Sequence, residues 1–321
     1  MAEIGTAQPP SFLSVVMCTR NRAASLERAL NSIADMIVPT DLPWEMVLVD
    51  NGSTDHTASV AESFTHKMPI RRIFEPKAGL SNARNTGVVS ARGDYILWTD
   101  DDVEVDKGWL AGYSEAFTRF PDGVVFGGQI IPRLETPTPA WFKENLNILC
   151  DVLAVRDFGD EYLSLTASGD LIPYGANYAI RTAEQRQHLY DPQLGVGPGR
   201  RTVGEEVTVM AELFAAGYSG YWVPDAKVFH IISASRQTEK YIRAYYSGHG
   251  ETSAFRFILS RKRTRFQVIV SQGLHTFANV ILYHTIRPFA SPRLWLRRLK
   301  KVGFHSGALK YALKHRIGSD A

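Results

Sequence analysis

The segment Asp94-Tyr95-Ile96-Leu97-Trp98-Thr99-Asp100-Asp101-Asp102 runs from an apolar stretch straight into three carboxylates. Asp94 to Thr99 is short and β-prone, which predicts a buried strand. The three aspartates mark its end. Adjacent carboxylates repel: two unit charges 4 Å apart at an effective dielectric of 20 interact by about 4 kcal/mol. A turn needs no such triplet. A divalent cation held by oxygen ligands relieves the repulsion. A solvated acidic turn is the alternative that these residues alone leave open.

Upstream, the chain alternates strand and helix. Ser14–Thr19 (SVVMCT), Trp44–Asp50 (WEMVLVD) and Ile70–Phe74 read as strands. Between the first two, Leu26, Leu30, Ile33 and Ile37 recur at four, three and four residues, one face of a helix. Ser53, Thr54 and Asp55 supply caps for a helix carrying Val60 and Phe64. Gly79 opens a turn and a helix through Val89. Downstream, a helix over Trp109–Phe120 precedes a strand over Gly123–Ile131, and Pro132–Pro139 (PRLETPTP) reads as a linker. This order predicts an α/β fold, a mostly parallel sheet with helices on both faces. Ligands of such sheets lie beyond the carboxyl ends of the strands. Thr19–Arg22, Asp50–Asp55 and Asp100–Asp102 all fall there. Gly79–Gly87 (GLSNARNTG) opens a helix at the same edge, where a helix N-terminus and Arg84 suit a phosphate. Turn punctuation and capping are the competing readings of the two glycine-bearing segments.

Together, Thr19-Arg20-Asn21-Arg22, Asp50–Asp55, Gly79–Gly87 and Thr99–Asp102 resemble the family 2 glycosyltransferases, inverting enzymes of the GT-A fold. Gly175-Ala176-Asn177 is similar to that family's acceptor-side element. Tyr190–Gly195, leading into Gly204-Glu205-Glu206, is similar to its acidic pair. The match runs in order over roughly 12–232. It implies a GT-A domain over 12–235, with a nucleotide half (12–131) and an acceptor half (132–235), before a basic helical region over 236–321.

The resemblance also implies roles. Thr19, Arg20, Asn21, Arg22, Asp50 and Asn51 would bind the nucleotide, and Arg84 would lie beside it. Asp100 and Asp101 would approach the ribose or donor sugar. Asp102 would hold Mg²⁺ or Mn²⁺ on the diphosphate of a UDP- or dTDP-sugar, with His230 completing that site. Asn51 stands where the family often has Asp. Glu206 would be the general base, with Glu205 the other candidate; both glutamates could instead simply begin a helix. Gly175, Asn177 and Trp141 would meet the acceptor, a glycan or a lipid-linked sugar. Trp141 and Tyr174 suit sugar stacking or a core equally. A nucleotidyltransferase and an inactive glycan-binding or scaffold protein are the rival functions.

The 321 residues carry a net charge of +3, unevenly placed. From Phe255 onward there are fourteen Lys and Arg against one acid, Asp320, leaving 22 basic and 32 acidic residues for the rest. Such a tail suits an anionic surface or its own acidic body. Phe266–Ile286 has a polar row, Gln267, Ser271, His275 and Asn279, which predicts an amphipathic helix rather than a membrane span. Arg261–Arg265 precedes it, and Leu294–Lys301 (LWLRRLKK) follows. The pattern predicts peripheral contact with an anionic membrane, with Trp295 and its neighbours inserting; packing on the domain or a second subunit is the alternative. No nucleic-acid recognition module matches. The absence of a Gln-x-x-Arg-Trp element and of multiple apolar spans implies single sugar addition rather than processive synthesis. The N-terminus, MAEIGTAQPP, lacks a basic and an apolar region, and only Cys18 and Cys150 could pair. Both features predict a cytoplasmic protein, extending to the cytoplasmic face of the membrane.

Overall fold

The computed structural model describes residues 10–166, 171–198, 200–260 and 262–314. The start of the N-terminal stretch read above for targeting, Arg261 of the basic run, and the final residues including Asp320 lie outside the described residues. In chain order the elements are β1 (Leu13–Thr19), α1 (Ala23–Ala34), β2 (Trp44–Asp50), α2 (Thr57–Ser63), β3 (Ile70–Phe74), α3 (Leu80–Ser90), β4 (Tyr95–Asp100), β5 (Val103–Val105), α4 (Trp109–Arg119), β6 (Gly123–Leu134) and α5 (Ala140–Lys143). They continue as β7 (Leu163–Leu165), β8 (Asn177–Arg181), α6 (Thr182–Gln185), β9 (Val196–Gly197), β10 (Arg200–Arg201), α7 (Glu205–Ala215), β11 (Ser219–Ile232), α8 (Glu239–Leu259), α9 (Arg265–Ile286) and α10 (Pro292–Lys314).

The chain divides into two compact units. The first comprises Met1–Arg133, Ala154–Pro192 and Gly204–Ile231. Its sheet runs β3-β2-β1-β4-β8-β6-β11-β5, with β7 on β11. The β3-β2-β1-β4 half is parallel, and β8 joins β4 antiparallel. Register sets Thr19 beside Asp50 and Cys18 beside Asp100, so three strands end together. Alternate residues of β1 point to opposite faces. Leu13, Val15 and Met17 join Leu26, Leu30 and Ile33 of α1 in one core layer. Val16 joins Ala83 and Val88 of α3 and Val209, Met210 and Leu213 of α7 in the other. Each such fully buried Leu, Ile or Val contributes about 1.5–3 kcal/mol.

Several boundaries differ from the sequence reading. Helix α1 stops at Ala34, so Ile37 is exposed and its N–H bonds the Lys107 carbonyl. Helix α2 begins at Thr57, because the Asp55 carboxylate takes the Thr57 N–H and hydroxyl while Ser53 and Thr54 bond Asn21. Strand β6 continues to Leu134 through the first residues of the expected linker. His230 lies within β11, paired with Val103 of β5.

The second unit comprises Leu134–Leu153, Gln193–Val203 and Ile232–Ala321. Helix α10 packs on both α8 and α9. Glycines allow the α8–α10 approach: a Cβ on Gly307 would stand 2.0 Å from the Ser247 carbonyl oxygen, and one on Gly250 1.9 Å from that of Phe304. Ala254, Ile258, Val268, Ala308 and Ala312 form the local core. Trp295, expected to insert into a membrane, is buried against Trp141 (ring centroids 5.2 Å apart) with the Arg287 guanidinium over it. The expected polar row of α9 does not face solvent as a unit, since Asn279 is buried beside Arg298. Among the described residues, no helix is long and apolar enough to cross a membrane.

Candidate active site

Two loops at the carboxyl edge of the parallel strands are fastened together. Asn21 adopts a left-handed backbone (φ 54°), a conformation Asn tolerates better than most residues. Its N–H donates to the Ser53 hydroxyl, and its Oδ1 accepts from Thr54 N–H at 2.7 Å. Arg20 beside it is exposed. Asp50 is buried, accepting from Ser53 N–H and from Arg72. Asn51 is also buried. Its Nδ2 donates to the Glu75 and Lys77 carbonyls, and its Oδ1 accepts from Gly79 N–H. Asn51 thus holds the loop that starts α3. An amide suits this work where a carboxylate would not, because it donates as well as accepts.

The three aspartates diverge in environment. Thr19 Oγ1 donates to Asp101 at 2.7 Å. Arg22 spans two carboxylates, donating to Asp101 at 2.7 Å and to Asp102 at 2.9 Å. His230 Nε2 lies 3.7 Å from Asp102. Desolvation pushes the Asp101 carboxyl up to about 7, with Arg22 opposing and Asp102 adding to the rise. Asp100 has a third of its side chain open to solvent, yet dense surroundings push it up to about 6, Arg84 opposing. Burial also raises the Cys18 thiol to about 12, keeping it protonated. Both cysteines are free thiols.

Arg84 is the buried hub. It donates to Glu205 at 2.7 Å and stands 3.7 Å from Glu206 and 3.8 Å from Asp100. Its guanidinium packs over the Tyr190 ring, whose hydroxyl meets that of Tyr178 at 2.6 Å. Burial opposes its charge, but Tyr178, Glu205, Glu206 and Asp100 hold its pKa well above the usual arginine value. Gly204, left-handed at φ 86°, turns the chain into α7 so that both glutamates stand in the first turn. Glu205 is buried on Arg84, and desolvation with the Glu206 charge pushes it up to about 7. Glu206 keeps 14% of its side chain exposed. Gly175 lies against this group: a Cβ there would come 2.8 Å from Arg84 and 3.3 Å from Glu206.

Asn177 corrects the expectation of acceptor contact. It is fully buried, its Oδ1 accepts from Trp109 and Tyr113, and its Nδ2 donates to the Gln129 and Ala226 carbonyls. Every polar position of the amide is occupied by protein. Trp141 belongs to the second unit and its Trp295 stack. Tyr174 lies under the Arg156 guanidinium, 3.5 Å from its ring centroid. Sequence reasoning missed Arg84 as partner of the glutamates and Arg72 as partner of Asp50. The available signal was two buried-type acids in need of cations. A large surface cavity lined by Arg92, Asp94, Arg181 and Arg186 sits at the opposite, amino-terminal edge of the strands.

Among the described residues, no three His, Cys, Asp or Glu side chains converge in metal-binding geometry. Asp102 and His230 nevertheless suit a divalent ion whose remaining ligands are substrate oxygens and water, the pattern Mg²⁺ adopts at phosphates. The Arg22 guanidinium on Asp102 marks a place where positive charge is already stabilised.

Residues 14–165 match the model of glycosyl transferase family 2. A cholesterol galactosyltransferase of Borreliella burgdorferi is 33% identical over 99 residues, 30% of this chain and 27% of that protein. A glucosyl-dolichyl phosphate glucuronosyltransferase of Haloferax volcanii is 24% identical over 172 residues, 53% and 52% of the two chains. The chain thus spans about a quarter to a half of the length of these curated relatives. Among solved structures, a mannosyltransferase from Pyrobaculum calidifontis in complex with GDP-Man and Mn²⁺ superposes with a TM-score of 0.60 at 14% identity, covering 95% of this chain and 88% of that one. S. aureus TarS in complex with UDP-GlcNAc gives 0.53 at 15% identity, covering 95% and 93%. These likenesses show the fold, GT-A.

Proposed function

Because residues 14–165 belong to glycosyl transferase family 2, we propose that the chain moves a sugar from a nucleotide-diphosphate donor to an acceptor hydroxyl, with inversion at the anomeric carbon. One observation carries this reading. Arg84 stands within 3.8 Å of Asp100 on one side and of both Glu205 and Glu206 on the other. It therefore joins the aspartate-rich strand end to the acidic start of α7 in one site.

Glu206, the more exposed glutamate, takes the proton of the acceptor hydroxyl as that oxygen attacks. The bond from the anomeric carbon to the phosphate oxygen breaks as the new glycosidic bond forms, and the nucleoside diphosphate departs. Glu205 and Arg84 hold α7 and fix Glu206. Thr19, Asp101, Asp50 and the fastened 19–22 and 50–55 loops form the nucleotide side. Asp102 and His230 would hold a Mg²⁺ or Mn²⁺ ion, which when bound neutralises charge on the diphosphate. Arg22 shields Asp101 and Asp102 from each other.

UDP- or dTDP-sugars are the favoured donors, GDP-sugars the next. Neighbouring structures containing UDP-GlcNAc and GDP-Man support that class. Relatives named for cholesterol and for glucosyl-dolichyl phosphate support a lipid-linked acceptor. The basic carboxyl-terminal region supports an acceptor at an anionic membrane, on its cytoplasmic face. The test incubates the full chain with UDP-, dTDP- and GDP-sugars and candidate acceptors, with Mn²⁺ or with chelator. Release of free nucleoside diphosphate with an inverted glycoside is expected only with metal. Pyrophosphate release would instead indicate nucleotidyl transfer, and nucleotide binding with no turnover across the panel would indicate a binding protein. Turnover undiminished in chelator would remove the metal from the reaction. Asp102→Ala should abolish metal-dependent donor binding.

A further inference from the structure

Helix α9 carries its apolar residues outward. Phe266, Val270, Leu274, Phe277 and Ile281 recur at four, four, three and four residues, one stripe of a 3.6-residue helix. All five are exposed, Phe266 by 73%, Leu274 by 67% and Phe277 by 69%. Leu282 flanks the stripe, and Phe289, just past the helix end, is 89% exposed. The inward face carries the buried Val268 at its start and polar contacts along the rest. Gln272 meets His305 at 2.6 Å, Arg298 donates to Asn279, and Tyr283 bonds Glu239. A helix that only packed on its own unit would turn these faces the other way. Single exposed apolar residues need no explanation, but a contiguous row marks an interaction surface. From Phe266 to Ile281 the row is about 22 Å long at 1.5 Å rise per residue.

Charge identifies what covers it. No Asp or Glu occurs between Glu251 and Lys314. Lys262 and Arg263 stand exposed before the stripe, and Arg293 and Arg297 stand exposed after it. We propose that this face of α9 is seated in the interfacial layer of an anionic bilayer. The apolar row enters the upper acyl region, and the basic residues at both ends meet lipid phosphates. A second copy of the chain fits worse. Two-fold pairing of α9 along its length would set basic end against basic end, with no carboxylate on the helix to offset them. The inference deepens the membrane-proximal acceptor of the proposed function by naming its surface, and rests on that reading only for its purpose.

The full chain, without donor, is sedimented with vesicles of equal phosphatidylglycerol and phosphatidylcholine, and with pure phosphatidylcholine vesicles. Binding should favour the anionic vesicles and weaken with salt. Leu274→Ser combined with Phe277→Ser should reduce binding at least about tenfold, the loss expected on removing two partly inserted side chains. Its thermal unfolding and nucleotide binding should match wild type. Phe266→Ser combined with Val270→Ser, at the other end of the stripe, should do the same. Equal binding by wild type and both variants would overturn the proposal, as would no binding to anionic vesicles at low salt. A wild-type dimer in analytical ultracentrifugation that both variants dissolve, without vesicle binding, would overturn it in favour of a second copy. Vesicle binding without sugar transfer would sink the activity reading and leave this one standing.

Discussion

Arg84 holds a full positive charge in the core because three carboxylates surround it, and those carboxylates depend on it in turn. Removing one partner of a buried pair costs about 3–5 kcal/mol, since the other charge is left without compensation. Arg84→Met should therefore lower stability by about that much at neutral pH in urea unfolding. The loss should shrink at about pH 5, where Glu205, raised to about 7, takes up a proton and no longer needs the cation. A loss independent of pH would mean that the guanidinium acts by packing rather than by charge. Glu206 tests the chemistry. Glu206→Gln keeps the shape of the site and should retain nucleotide-diphosphate affinity while transfer falls by about 10²–10⁴-fold. If Glu205→Gln is the inactive variant and Glu206→Gln is not, the base is Glu205.

At the scale of elements, glycines decide how closely helices approach. Gly303 and Gly307 of α10 lie one turn apart and face the α8 backbone, where a Cβ would meet the Arg243 and Ser247 carbonyl oxygens at 2.6 and 2.0 Å. A side chain there forces the two helices apart. Gly307→Val should cost at least about 1–3 kcal/mol, the usual penalty of overpacking, read as a lower midpoint in chemical unfolding. Gly273 of α9 has open space around its Cβ position, so Gly273→Ala should be neutral or slightly stabilising in the same measurement. Equal losses for the two substitutions would show that the close α8–α10 approach at Gly307 does not govern stability here.

For the whole molecule, the raised carboxylates set the pH dependence of stability. Asp100, Asp101 and Glu205 sit at about 6, 7 and 7 in the fold, against ordinary values of 3.8, 3.8 and 4.5. Between those limits the folded chain holds protons that the unfolded chain has released. Stability is then fully present below the ordinary values and falls as pH rises through the folded ones. His305, held below its usual 6.5 by burial, opposes this trend with a single proton. Glu45 and Asp55, held low, withdraw their stabilisation only as pH falls below their ordinary 4.5 and 3.8. The thermal midpoint of the metal-free chain should thus fall as pH rises from about 5 to about 7.5. A midpoint that climbs steadily over that range would contradict the buried acidic cluster.

Local pattern was enough for the parallel half of the sheet. β1, β2, β3 and β4 are short apolar runs with few competing conformations, and the polar residues after them fall at one edge by the rule of connection. The same pattern put Thr19 and Asp100–Asp102 at that edge, whereas the Glu205–Glu206 pair was singled out by the family resemblance alone. Sequence could not say which polar side chains face a ligand and which serve the protein, because that depends on partners far along the chain. Asn177 spends its amide on Trp109, Tyr113, Gln129 and Ala226, and Asn51 on the 75–79 loop. Nor could periodicity orient α9. A helix with one apolar and one polar face satisfies the same spacing whichever face turns inward. Tertiary packing decided it, through the polar contacts that His305, Arg298 and Glu239 offer to one side alone.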